Sequence, residues 1–337
     1  MEIVTIKDIA KALNLSASTV SRALRNSYEI SEPTKKIVLE YAKKYNYRPN
    51  PIALSLKENK SRSIGVLVPE IDNPFFSQAI NGIESVAYAK GYHVLIFQSN
   101  ESLEREVINI NHMISRRVDG VILSLSAETF DVPHLHELTE MGTPMVMFDR
   151  VSSEINTHKV VADNFSGAFE AVELLIKKGK KRIAFIGVSQ NISISKERLI
   201  GYKAALEKHG VEFDPTIVKE SGYSPENIEA DIKALFSMEY PPDAILSVSD
   251  RLALTCLSVF KKQKYNIPKD FSYICFSNLK VADLFSPSIT TVTQPAFEMG
   301  QKSAELLFQI LNAKPKEKIE FQTLKISTTL NVRESSN

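Results

Sequence analysis

Only two cysteines occur in the 337 residues, Cys256 and Cys275, nineteen positions apart in apolar surroundings and in no CxxC pair. A disulfide framework and a cysteine metal site are thereby excluded, and two buried, reduced thiols are expected. No apolar run approaches the length that spans a bilayer, and none follows Met1 as the core of an export signal would. A cytoplasmic protein with no membrane partner is expected. The sequence also lacks GxxxxGK[ST], GxGxxG, GxSxG and HExxH, the motifs that carry phosphate-loop, dinucleotide, esterase and zinc-protease chemistry. Its one close histidine pair, His134 and His136, reads as a solvated helix start, because two histidines at i,i+2 without a nearby cysteine make a poor metal site. No catalytic residue, no cofactor and no metal is expected, and the chain reads as a non-enzyme.

What the sequence does have is a polarised charge. The formal net charge is only +1, yet residues 1–60 hold 11 basic and 6 acidic residues, whereas the remainder holds 30 and 34. A basic tip on an acidic body suits a polyanion bound at one end. The length and the 43% hydrophobic content allow a substantial core and at least two folding units.

The tip reads as three short helices. Thr5 with Asp8 three positions on makes an N-terminal cap, after which Ile6, Ile9, Ala10 and Leu13 recur at helical spacing. Ser16 caps a second helix whose inward face is Val20, Ala23 and Leu24. Ala10 is small enough for a close crossing, Asn14 tolerates the left-handed turn, and Val20 closes the core ten positions after Ala10, which is helix-turn-helix spacing. A third helix starts at Ser31, with Pro33 in its first turn, and is expected to bring Ile37, Val38, Tyr41, Ala42 and Tyr45 to the same core. The second helix then points Ala17, Ser18, Ser21 and Arg22 outward. Arg22 suits a bidentate contact to a guanine edge, and the hydroxyls of Thr5, Ser16, Thr19 and Ser21 suit phosphates.

Asn50 and Pro51 can start a further helix of about two turns, too short to be stable in water without a partner. Ala53 and Leu56 share one face of it, an arrangement suited to wedging a minor-groove step.

These segments carry a family resemblance. Thr5-Ile6-Lys7-Asp8-Ile9-Ala10, Ser18-Thr19-Val20-Ser21-Arg22-Ala23-Leu24, Tyr47-Arg48-Pro49-Asn50 and Ile64-Gly65-Val66 resemble the LacI/GalR-type regulators, and the likeness runs through essentially the whole chain. The resemblance implies an all-α helix-turn-helix domain (1–49), a hinge helix and linker (50–62), and a two-lobed α/β core of periplasmic-binding-protein type with parallel sheets flanked by helices (63–330), followed by a tail (331–337). The implied lobes are 63–161 with 292–322, and 162–291 with 323–330. It further implies a homodimer on pseudo-palindromic operator DNA, with Leu56 as the wedge, and an effector bound between the lobes.

Patterning supports the core independently. Ile64 to Val68, His93 to Phe97, Gly120 to Ser124 and Met145 to Phe148 read as strands, and Arg182 to Gly187, Ala244 to Val248 and Tyr273 to Phe276 repeat the series. Ligands of open α/β sheets gather beyond the carboxyl ends of strands. There the sequence places Phe75 and Phe76, Asp149, Asp250 and Asn278, for which the plainer alternatives are core packing, helix caps and a turn respectively, while Arg198 matches the family arginine at the start of a cleft-facing helix. Family members often carry Gly-Phe-Asp where Cys275-Phe276-Ser277 stands. Carboxylates and amides pair with vicinal hydroxyls, and aromatic rings stack on sugar faces, so a sugar or sugar-derived effector is expected, with a nucleobase as the alternative.

Overall fold

The computed structural model describes residues 4–47, 60–189, 192–314 and 318–337. The chain divides into two units, residues 1–61 and 62–337.

In the first unit α1 (Ile6–Ala12), α2 (Ala17–Leu24) and α3 (Glu32–Lys44) follow one another at short intervals. The start of α1 is a reciprocal cap: the Thr5 amide donates to Asp8 Oδ2 (2.8 Å) and the Asp8 amide to Thr5 Oγ1 (3.4 Å), satisfying donors that a helix start leaves open. Ser16 Oγ accepts the Thr19 amide (3.1 Å) and so caps α2. Between them Asn14 takes a left-handed φ of 52°, the conformation the tight turn requires. Ile9, Ala10, Val20, Ala23, Val38 and Ala42 form the buried core. Two expected core residues stay outside it: Ile37 is 52% exposed and Tyr45 45%. Val38 and Ala42, one turn apart, already fill the inward stripe of α3, which turns Ile37 away from it. Tyr45 lies past the last helical residue and packs on Tyr41, ring centroids 4.5 Å apart.

The second unit contains two six-stranded sheets. Helices α4 (Pro74–Ala89), α5 (Leu103–Ser115), α6 (Pro133–Glu140), α7 (Asn164–Lys177), α8 (Ser193–Lys208), α9 (Pro225–Phe236), α10 (Asp250–Gln263) and α11 (Ala296–Asn312) connect their strands. The first sheet is built from β1 (Ser63–Val68), β2 (His93–Gln98), β3 (Gly120–Leu123), β4 (Met145–Phe148), β5 (His158–Ala162) and β11 (Thr323–Ile326), in the order β11-β5-β4-β3-β1-β2 and parallel throughout. The second contains β6 (Ile183–Gly187), β7 (Val218–Glu220), β8 (Ala244–Ser247), β9 (Ser272–Phe276), β10 (Thr290–Thr293) and β12 (Thr329–Asn331), ordered β12-β10-β9-β8-β6-β7, with only β12 antiparallel. The central strands are buried apolar runs, as sheets covered on both faces require.

The chain crosses between sheets after Ala162, after Thr293 and after Ile326. The last crossing differs from the sequence expectation, which put residues 323–330 together in the second lobe. Instead Thr323–Ile326 pairs with β5 in the first sheet and Thr329–Asn331 joins β10, while the expected tail from 331 is docked on the second sheet, with buried Ser335 donating to the Tyr273 carbonyl (2.7 Å) and accepting the Thr290 amide (2.8 Å). As edge strands, both show alternating partial exposure instead of a continuous apolar run, so their local pattern does not name a sheet.

Helices α4 and α11 cross on the first sheet at two glycines. A Cβ at Gly82 would overlap the Phe297 carbonyl oxygen, and one at Gly300 the Ala79 carbonyl oxygen, so the two backbones touch where a side chain would hold them apart. Cys256 and Cys275 are buried free thiols. His134, expected at a solvated helix start, is buried: its Nε2 lies 2.9 Å from Glu106 Oε1, a carboxylate that also accepts the Ser126 amide (2.7 Å) and the Thr129 hydroxyl (3.0 Å). A buried carboxylate needs such partners, and Leu135 and Leu138 on α6 carry His134 inward with them.

Candidate functional site

On the first unit, Ser16, Ala17, Ser18 and Arg22 lie on the exposed face of α2, with Thr19 and Ser21 half-buried beside them. Their hydroxyls are already oriented. Ser16 Oγ lies 2.7 Å from Ser18 Oγ and 2.8 Å from Thr19 Oγ1, and the Ser21 hydroxyl accepts from Arg25 Nη2 (3.0 Å). Thr5 is exposed, with its hydroxyl committed to the α1 cap. Arg22 pairs through Nε with Glu29 (3.1 Å), an exposed ion pair that leaves the guanidinium on the surface. Such a pair contributes little to stability, so it restrains the arginine without locking it. The hinge positions Asn50, Ala53 and Leu56 lie outside the described residues.

In the second unit, polar residues that follow the carboxyl ends of strands converge between the sheets. Asp149, one residue beyond β4, has a left-handed φ of 59° and accepts from Gln294 Nε2 (3.3 Å), which follows β10. That backbone conformation is costly for an aspartate, and here it coincides with the cleft. Asp250 opens α10, and its Oδ1 accepts both the Ser277 hydroxyl and the Asn278 amide at 2.7 Å. The serine that replaces the family's acidic residue therefore serves the remaining carboxylate.

Arg198, from the second turn of α8, is fully buried. Its Nε donates to Asn164 Oδ1 (2.8 Å), its Nη1 to the Val248 carbonyl (2.5 Å), and its Cζ lies 4.1 Å from the Phe276 ring centroid, while Nη2 has no partner among the described residues. Arg150 is held differently. It forms a two-pronged pair with Glu101 (2.6 and 3.0 Å) and donates to the Tyr223 hydroxyl (3.1 Å).

Phe75, Phe76, Asp149, Arg198 and Asp250 line one cavity of about 30 Å³, together with Tyr223 and Gln294. The rings of Phe75 and Phe76 meet edge to face, 5.1 Å apart, and both also belong to the first sheet's core. Asn278 does not line this cavity. It ties the walls together, donating to the Gln294 carbonyl (2.8 Å) and to Gln78 Oε1 (3.2 Å). The Gln78–Asn278 link (3.2 Å) and the Glu70–Arg251 pair (2.6 Å) join the two sides of this cavity.

Burial sets the electrostatics. It raises the Asp149 carboxyl above its ordinary value, against the pull of Arg150 and Arg198, and raises Asp250 against its hydrogen bonds from Ser277 and Asn278. Burial also lowers Arg198 to about 10, which leaves it cationic at neutral pH. For Arg150 burial acts the same way but is outweighed by Tyr223 and Glu101, and its pKa rises. Glu70 and Glu101 are ion-paired, whereas Asp149 and Asp250 form no ion pair within 4 Å among the described residues.

Arg150, Glu101, Tyr223 and Gln294 were not among the site residues read from the sequence. Arg150 adjoins Asp149 and Gln294 follows a strand, which are signals of the same kind as those that found Asp250. Glu101, three residues past β2, carries that signal too, whereas Tyr223 follows a short polar strand, β7, that gives no such mark.

Comparison with known proteins agrees with this architecture. Residues 61–334 match the family described as periplasmic binding proteins and sugar binding domain of LacI family, and residues 5–50 match bacterial regulatory proteins, lacI family. The chain is 35% identical over 303 residues to the HTH-type transcriptional repressor CytR of Escherichia coli (strain K12), covering 90% of this chain and 88% of that protein. It is 30% identical to catabolite control protein A of Priestia megaterium, covering 99% of each. Among solved structures it is similar to a complex of the transcriptional regulator CelR with cellobiose (TM-score 0.74, 27% identity, 98% of this chain and 99% of that one). It shares the fold of the lac repressor dimer bound to operator and the anti-inducer ONPF (TM-score 0.85, 21% identity, 99% of each). No helix among the described residues is long and apolar enough to cross a membrane. With a helix-turn-helix unit ahead of a two-sheet sensing core, and with both family models matched in that order, the chain belongs to the LacI family of transcriptional regulators, which bind operator DNA as dimers and respond to small-molecule effectors.

Proposed function

We propose that this regulator is a cytoplasmic repressor, without catalytic activity of its own, whose operator affinity is switched by a neutral polyhydroxylated effector, a sugar or sugar derivative, held between the two sheets. Residues 1–49 read DNA, 50–62 form the hinge, and 63–330 sense the effector, with the first lobe extended to Ile326. Arg22 contacts a base edge, while Thr5, Ser16, Thr19 and Ser21 hold phosphates and Ala17 and Ser18 face the groove. Asn50, Ala53 and Leu56 are the DNA contacts of the hinge. Phe75, Phe76, Asp149, Arg198 and Asp250 form the effector site, and Asn278 braces it.

One observation carries the effector class: two buried carboxylates without ion-pair partners and one unpartnered guanidinium nitrogen meet between aromatic walls. Hydroxyl groups satisfy all three, donating to Asp149 and Asp250 and accepting from Arg198. A phosphate would instead face two carboxylates whose ionisation burial already opposes. The cellobiose in the similar CelR structure supports a carbohydrate.

Thermal melting of the full chain with sugars, sugar phosphates and nucleosides tests the proposal. Stabilisation by unphosphorylated sugars, abolished in Arg198→Ala and Asp250→Ala, is the expected result. Stabilisation by sugar phosphates alone overturns it.

A further inference from the structure

Arg22 and Arg25 stand at the end of α2, and the chain holds them differently. Arg25 is turned back on its own helix, with Nε donating to the Ser21 carbonyl (3.3 Å) and Nη2 to the Ser21 hydroxyl (3.0 Å). Arg22 is met by a carboxylate from beyond the helix. Glu29 Oε2 lies 3.1 Å from its Nε, and among the described residues nothing else engages the guanidinium. We infer that Glu29 is a positioning residue for DNA reading: it holds Arg22 by the Nε side, leaves both Nη groups for a base edge, and repels the phosphates that would otherwise draw that arginine away. The inference rests on the reading of Arg22 as a base contact.

The turn after α2 puts Glu29 in place. Asn26 takes a left-handed φ of 54°, and the amides of Asn26 and Ser27 donate to the Ala23 and Arg22 carbonyls (3.0 Å each), so the chain folds back over the end of the helix. The Ser27 hydroxyl accepts the Glu29 amide (3.4 Å), and the Ser27 carbonyl accepts the Ile30 amide (3.3 Å). Ile30 packs against the buried core of the unit, which anchors the residue next to Glu29. The Arg22 and Glu29 side chains are 53% and 46% exposed, so the pair stays where a duplex can reach it. A pair this exposed contributes little to stability, and its use lies in recognition. A fork contact to guanine needs two N–H groups in one plane. With Nε held, that plane is oriented before binding, and less rotamer freedom is lost on contact than by an unrestrained arginine. The carboxylate also opposes the phosphates of any duplex, whereas a guanine edge offers neutral acceptors. Sequence-independent binding therefore loses more than specific reading does.

The test uses the full chain and an operator that it selects from a randomised duplex pool. Gel-shift titrations compare this operator, its single base-pair variants and random duplex. Arg22→Ala marks the base pair that Arg22 reads. At that base pair Glu29→Gln is expected to lower discrimination about two- to fivefold, and to tighten binding to random duplex by a similar factor, with the melting temperature unchanged. In the Arg22→Ala background the same substitution is expected to leave discrimination at that base pair as it was, because the positioning acts only through the arginine. Undiminished discrimination in Glu29→Gln overturns the inference. So does a loss that persists in the Arg22→Ala background, or one that falls at a different base pair, which would make Glu29 a base reader itself. If Arg22→Ala relaxes no base pair, the base-contact reading of Arg22 fails and takes the inference with it.

Discussion

Asp250→Asn separates the two demands placed on the cleft, stability and recognition, because the change keeps the shape of the side chain and removes only its charge. In the native chain, Oδ1 accepts from Ser277 and from the Asn278 amide, and an asparagine oxygen in the same place keeps both bonds. Desolvating a carboxylate costs several kcal/mol, and hydrogen bonds to a charged group return about 1.5–3 kcal/mol each. The raised Asp250 pKa, caused first by burial, says that desolvation outweighs the bonds.

Folding therefore favours the protonated form. The stabilising contribution of this group is present at low pH and is lost as pH rises from the ordinary carboxylate value through the raised folded value. The variant should accordingly be more stable than the parent at neutral pH, by an amount on the order of 1 kcal/mol, and the difference should shrink towards pH 4. Recognition moves the other way. The side-chain atom facing the cleft changes from an acceptor to a donor, so an effector hydroxyl loses a charge-assisted bond of about 1.5–3 kcal/mol, or roughly 10- to 150-fold in affinity. Urea unfolding from pH 4 to 8, paired with calorimetric titration of the stabilising sugar, reads both quantities. A variant that is less stable at neutral pH, or one that binds the sugar as well as the parent, refutes the account of Asp250 as a destabilising group retained for recognition.

Arg22→Ala should relax base preference at one position in each half-site at a cost of about 1–3 kcal/mol; equal weakening on all operator variants in gel-shift titrations would make Arg22 a phosphate contact. Leu56→Ala should abolish operator bending, read by circular-permutation gel shift, while effector binding in the core survives; an unaltered bend angle removes the wedge. Gly82→Val should destabilise the second unit by about 1–3 kcal/mol through overpacking of α4 on the Phe297 carbonyl, with a lower urea midpoint as the readout. An unchanged midpoint would mean that the two helices separate at no cost.

The caps and the burial stripe of the first unit could be read directly from neighbouring residues. Thr5 with Asp8, Ser16, Asn14, and the spacing from Ala10 to Val20 act within one or two turns, where hydrogen bonding and side-chain direction are local properties. Asp149 and Asp250 could be found for a related reason: a parallel sheet presents its strand ends to one side, so any polar residue placed just after an apolar run is carried to the cleft. Packing alone decided the rest. Ile37 and Tyr45 are apolar at nearly helical spacing, yet the stripe had no room for them. Thr323–Ile326 reaches the first sheet by pairing with β5, more than 160 residues earlier in the chain. Gln294 and Asp149 are 145 positions apart, and Arg150 meets Tyr223 across 73. Contacts of that range depend on which edges and faces remain free once the local elements have docked, and no local pattern encodes that complementarity.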